Sequence, residues 1–165
     1  MNIIVKVIAA ALAVSVPAVP AIAAQDAPDQ PAGPIALSGD VKAVETNRDA
    51  EGNATTRLVE PDLIVPGDRL VFGTEFANIS SEPVENFVVT NPLPAAVRLA
   101  PDADPALTVS VDGGKNWGTL ASLSVAEDDG TTRSATHEDV THVRWTLAEI
   151  AAGEAGRLEY PAIIR

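Results

Sequence analysis

The sequence predicts an all-β protein, an antiparallel sandwich of about seven to nine strands spanning residues 35–165. Three observations carry that prediction. From Ile35 onward, short runs rich in Val, Leu, Ile, Thr and Phe alternate with clusters of Gly, Pro, Asn and Asp. Within those runs apolar and polar residues alternate with a period of two, as strands with one buried and one wet face require. Beyond the N-terminal segment, no stretch shows a convincing helical period.

The chain begins differently. Lys6 is followed by an almost wholly apolar run from Val7 to Val16, then by "VPAVPAIAAQDAP". A basic start, an apolar run of about ten residues and a small-residue end are the parts of a secretory signal peptide. Ala21 and Ala23 form an A-x-A site, so cleavage is expected after Ala23 or, one residue on, after Ala24. A membrane span needs about 20 apolar residues, and Pro17 and Pro20 interrupt this one. Residues 1–23 are therefore read as a cleavable signal helix, which sends the chain to the periplasm or outside the cell. Residues 24–34, polar and proline-rich, form a flexible leader to the domain.

Each later element has its own pattern. "RLVFGTEF" places Leu70, Phe72 and Phe76 on one face, and "VENFVVT" turns Phe87 and Val89 inward. In "LTVSVD", Leu107, Val109 and Val111 oppose Thr108, Ser110 and Asp112. Val143, Trp145 and Leu147 share a face in "THVRWTL", as do Leu158, Tyr160, Ala162 and Ile164 in "RLEYPAII". Pro161 belongs on an edge strand or at its margin, because it has no N–H for the ladder. Turn chemistry separates these runs. "NRDAEGNA" reads as a hairpin tip, "VPGD" as a type II turn with Gly67 at positive φ, and "NPLP" as a strand stop. "AAGEAG" is another tight connection, and "AEDDGTTRSATHED" reads as a long polar loop.

Composition narrows the function. There is no cysteine, which excludes a lipid-anchored lipoprotein, a disulfide framework and a thiolate metal site. The net charge is −12, and loss of Lys6 with the signal helix makes it one unit more negative. Such a surface repels nucleic acid and anionic membranes. No second apolar stretch is long enough to span a bilayer.

The stretch "PGDRLVFGTEFANISSEPVENFVVTNPLPAAVRLAPD" and the closing "VRWTLAEIAAGEAGRLEYPAIIR" resemble the conserved repeat domain of bacterial surface and secreted proteins, domain-of-unknown-function family eleven. The shared parts are the Pro66-Gly67-Asp68 turn, a strand ending at Asn78, a Leu93-Pro94 turn, and a closing Trp145-x-Leu147 strand with a Gly-Glu turn. Asn91 departs from the pattern, where an Asp is usual, so no carboxylate ligand is expected there. The resemblance covers roughly Val59 to Arg165. It implies an immunoglobulin-like β-sandwich with a structural, adhesion or display role rather than an enzyme.

The candidate sites are few. "SVDGGKNW", Ser110 to Trp117, has the Ser-x-Asp-x-Gly-x-x-Trp spacing and resembles the Asp-box of sialidase-type propellers. A propeller needs several blades of about 40 residues, and one box stands here. The stretch is read as a tight corner in which Asp112 accepts backbone N–H groups and Trp117 packs. A contact loop for a sugar or a partner is the alternative, with Asp112, Lys115 and Trp117 as binding candidates. "HEDVTH" lacks the i, i+4 histidine spacing of a zinc helix, since His137 and His142 are five apart. Calcium would turn to Asp102, Asp104 and Asp112, yet no twelve-residue loop with a closing Glu is present. No nucleophile elbow and no phosphate-cradling glycine loop occur.

The expectation is thus a non-catalytic exported module without a cofactor, whose partner is an envelope protein or a glycan. Its contacts would come from Asp112–Trp117 and Glu127–Glu138. A small calcium- or carbohydrate-binding module is the first alternative, and a hydrolase using His142 on a sandwich scaffold the second.

Overall fold

The computed structural model describes residues 33–165, and the expected signal helix, both cleavage points and most of the leader lie outside them. The described chain is all-β. Its strands are β1 (Ile35–Arg48), β2 (Ala54–Val59), β3 (Arg69–Asn78), β4 (Val84–Pro92), β5 (Val97–Leu99), β6 (Thr108–Ser110), β7 (Gly118–Thr119), β8 (Ser124–Ala126), β9 (Thr132–Ser134), β10 (His142–Ile150) and β11 (Ala155–Ile164). A single 3-10 turn, Leu120–Ser122, follows β7. The eleven strands exceed the expected seven to nine. Part of the excess is β8 and β9, which form a hairpin inside the segment read as a long loop.

Two antiparallel sheets share one core, a β-sandwich-like arrangement. The first has the order β2-β1-β3-β11-β5, and the second β4-β10-β6-β7. Leu70, Tyr160 and Ala162 from the first sheet meet Val109 and Val143 from the second, with Val97, Leu99, Ala103 and Val140 completing the cluster. Phe72 stacks on Tyr160 at 5.1 Å between ring centroids, and Trp145 approaches the same ring from the opposite sheet at 6.2 Å. The alternation in β3, β4, β10 and β11 is the cause. Leu70, Phe76, Val89, Val143, Tyr160 and Ala162 are buried on the expected faces, with Phe72, Phe87, Trp145 and Leu147 half-buried beside them. Each fully buried large apolar side chain contributes about 1.5–3 kcal/mol.

Polar side chains tie the sheets where strands end. Asn78 is 2% exposed. Its amide nitrogen donates to the carbonyls of Glu82 (2.8 Å) and Ile150 (2.9 Å), and its carbonyl oxygen accepts from the Ser80 N–H and hydroxyl. Asn78 thus bonds the backbone that follows it and the end of β10 at once. Asn91 crosses between sheets too, donating to the Thr74 hydroxyl at 2.7 Å. Gly67 (φ 95°) takes the positive-φ position of the expected turn, closed by the Asp68 N–H to the Val65 carbonyl at 3.0 Å.

Pro161 lies inside β11, opposite Val71 of β3. The opposite flank of β11 is covered by β5 only at Ala162–Ile164. The Pro161 carbonyl accepts from the Ala100 N–H just where that short pairing gives out, so its missing N–H also faces the margin. A further expectation fails: Ser110, expected on a wet face with Thr108 and Asp112, is fully buried. The strand ends at Ser110, and the following loop folds back to cap its hydroxyl.

Candidate functional site

The Ser110–Trp117 corner leaves β6 and returns into β7. Asp112 organises it. One of its carboxylate oxygens accepts from the Ser110 hydroxyl (2.8 Å) and the backbone N–H groups of Lys115 (3.0 Å) and Asn116 (2.9 Å). The other accepts from the Asn116 side-chain amide at 2.6 Å. The Asn116 backbone N–H, its side-chain amide and the Ser110 hydroxyl hold this carboxyl well below the usual carboxylate range. Gly113 and Gly114 turn the chain at φ 77° and 86°, which L side chains rarely adopt. The Gly113 N–H reaches across to the Thr141 hydroxyl at 3.1 Å and anchors the corner to the start of β10.

Trp117 is positioned by this corner. Its indole N–H donates to the Gly114 carbonyl at 2.9 Å, and the ring is half-buried. The Arg144 guanidinium carbon lies 3.5 Å from the ring centroid, a stacked cation–π contact. His142 meets the ring nearly edge-on, 6.2 Å away. Arg144 and His142 alternate with the buried Val143, so both project from the outer face of the second sheet. Thr90 of β4 and Thr108 of β6 lie directly opposite Arg144 on that face. The Arg144 Nε–H donates to the Thr90 hydroxyl at 3.3 Å.

The residues a hydrolase would use are neighbours without the needed wiring. Ser110 and His142 are cross-strand partners. Yet the Ser110 hydroxyl donates to Asp112 and accepts from the Gly114 N–H, while His142 Nδ1 contacts the Thr141 hydroxyl at 3.0 Å.

The three calcium candidates are not gathered. Asp102 forms a bidentate pair with Arg69 (2.7 and 2.6 Å), which lowers its pKa. Asp104 accepts the Ala106 N–H of its own loop at 2.8 Å. Among the described residues, no three His, Asp or Glu side chains form a group that could hold a metal ion. The second candidate loop, Glu127–Glu138, is partly ordered by Arg133, which pairs with Glu127 and bidentately with Asp139 (2.6 and 2.7 Å). Its Ala135, Thr136 and His137 line an apolar concavity of about 430 Å³, together with Leu99, Pro105, Leu107 and Leu120. Among the described residues no helix is long and apolar enough to cross a membrane.

Sequence reasoning named Asp112, Lys115 and Trp117 but missed Arg144. Its signal was present, since it alternates with Val143 and Trp145 and so belongs to the wet face of β10. What the alternation does not reveal is the aromatic ring beneath it. No protein-family model matches the chain, and no curated protein or solved structure matches it.

Proposed function

We propose that this chain is an exported, non-catalytic binding or structural module of the cell envelope, built on an immunoglobulin-like sandwich related to the bacterial conserved repeat domain. The observation that carries the reading is how the polar atoms of the Asp112 corner are spent. Its carboxylate and the Ser110 hydroxyl serve the fold of their own loop, and the corner presents Trp117 and Arg144 on a rigid sheet face. A preformed surface of this kind suits recognition with little ordering cost on binding. The signal-like segment 1–23 supports export, and the absence of cysteine suits a module that needs no oxidative folding.

Expression of the full chain in a bacterium, followed by fractionation and intact-mass measurement, tests the export half of the reading. The expected product begins after Ala23 or Ala24 and is recovered from the periplasm or the medium. A cytoplasmic product still carrying Lys6 and the apolar run would end it.

A further inference from the structure

Ten basic side chains lie among the described residues, and seven of them sit within 4.0 Å of a carboxylate. Arg48, Lys115 and Arg144 do not. Arg48 stands at the β1–β2 hairpin tip, where it bonds the Gly52 carbonyl. Lys115 belongs to the corner that positions Trp117, and Arg144 is stacked on that ring. In a chain with 23 acidic residues, a guanidinium held on a strand without a carboxylate is an exception. Only its Nε–H has a protein acceptor among the described residues, the Thr90 hydroxyl, which leaves the terminal N–H donors open.

Beside Arg144 is a shallow depression of about 280 Å³, lined also by Thr108, Thr146 and Asp104. Asp104 commits one carboxylate oxygen to the Ala106 N–H. The other has no partner among the described residues. The depression therefore offers a forked cation at one side, two hydroxyls, and an acceptor-only carboxylate at the rim.

We propose that this depression binds the carboxylate-bearing ring of an acidic sugar, a hexuronate unit of an envelope glycan. This rests on the reading of the chain as an envelope-binding module and names its ligand. The guanidinium fork matches a carboxylate with two parallel N–H···O bonds. Trp117 holds the guanidinium plane from behind and reduces the side-chain freedom lost on binding. Thr108 and Thr146 both give and take hydrogen bonds, and Asp104 only accepts, so these three suit sugar hydroxyls. Asp104 would repel a carboxylate placed at its end of the depression, which fixes the direction of the ring. An acidic peptide has the carboxylate but not the ring of hydroxyls that Thr108, Thr146 and Asp104 would meet.

The test is calorimetric titration of the full chain at low salt with glucuronate oligomers, neutral glucose oligomers and poly-glutamate. Saturable binding of the glucuronate oligomers alone is expected, weakened about tenfold or more by Arg144→Gln. Arg144→Lys keeps the charge and loses the fork, so a loss of several-fold is expected there as well. If Arg144→Gln loses its near-ultraviolet circular dichroism, the Lys variant carries the test. No binding of glucuronate oligomers, equal binding of the neutral oligomers, or parent-like affinity in a folded Arg144 variant overturns the proposal. Equal binding of poly-glutamate assigns the site to acidic peptides and overturns the sugar. A processed, exported chain that ignores glucuronate would leave the envelope reading standing, so the two fail separately.

Discussion

Asn78 and Asp112 both follow a short run of alternating residues, and both close it by accepting nearby N–H or O–H groups. Their reach differs. The Asn78 amide bonds the Ile150 carbonyl 72 positions along the chain, where β10 of the other sheet ends. Every side-chain bond of Asp112 falls between Ser110 and Asn116. The first joins the two sheets and exists only when both have formed. The second shapes a loop from its own residues, which the Gly113 N–H then ties to Thr141 at the start of β10. The same turn chemistry thus serves global stability in one place and a local binding surface in the other.

The largest expected effect is on the non-local side. Asn78→Ala removes a side chain that is 2% exposed and takes this partner from the Ile150 carbonyl and the Ser80 N–H, while the Ser80 hydroxyl and the Glu82 carbonyl still bond each other. Unsatisfied buried groups of this kind cost about 1–3 kcal/mol each in full burial. A loss of about 2–3 kcal/mol is expected for the corner as a whole, because partial relaxation lets water reach some of these groups. Urea unfolding followed by circular dichroism measures it. A midpoint equal to that of the parent would mean that the sheets do not depend on this corner.

Alkaline pH probes the same inter-sheet core with a smaller effect near neutrality. Burial pushes the Tyr160 hydroxyl up to about 12. Free tyrosine titrates near 10. A group raised in the fold contributes stability that is complete below the unfolded value and is lost as pH rises through the folded one. Between about pH 10 and 12 this residue alone should remove roughly 2–3 kcal/mol. Tyr160→Phe keeps the stacking on Phe72 and should match the parent at pH 7 while losing this alkaline decline. An unchanged alkaline limb in that variant would place the sensitivity elsewhere.

The two sides of the comparison were unequally legible in the sequence. The strands that build the core showed themselves, because Leu70, Val89, Val143 and Tyr160 must alternate with wet residues to bury one face. Asn78 was readable as a strand end, but its bond to Ile150 was not, since nothing near Asn78 announces where β10 stops. The β8–β9 hairpin was missed because both strands are largely exposed and carry no apolar alternation. Its Asp129-Gly130 pair, with Gly130 at φ 82°, is the one hairpin signal in that polar stretch. Asp102 was a plausible cation ligand in one dimension. Its partner Arg69 lies 33 positions away, and only the folded chain brings the two together. Ser110 was misplaced for a related reason, since a period of two assigns faces to a strand and says nothing of a loop that folds back over it.

The smallest effect on overall stability belongs to Asp112, and it is the sharpest test of locality. Its carboxyl is lowered in the folded loop, first by the Asn116 backbone N–H. A lowered carboxyl contributes fully above its unfolded value, near pH 4, and fades only as pH falls through the lower folded value. That contribution is complete at pH 7, so Asp112→Asn should lower the urea midpoint there, by less than Asn78→Ala because every bond it weakens lies within one surface corner. Amide exchange at Lys115 and Asn116 should rise, because both N–H groups lose their shared charged acceptor. In the parent, the same two amides should stay protected well below pH 4 and open only in stronger acid. Since the corner also sets the Gly114 carbonyl that holds the Trp117 indole, the variant should loosen the ring under Arg144 while the sheets stay intact. If it instead unfolds the whole domain, the corner is as non-local as Asn78, and the division between a stabilising corner and a presenting one does not hold.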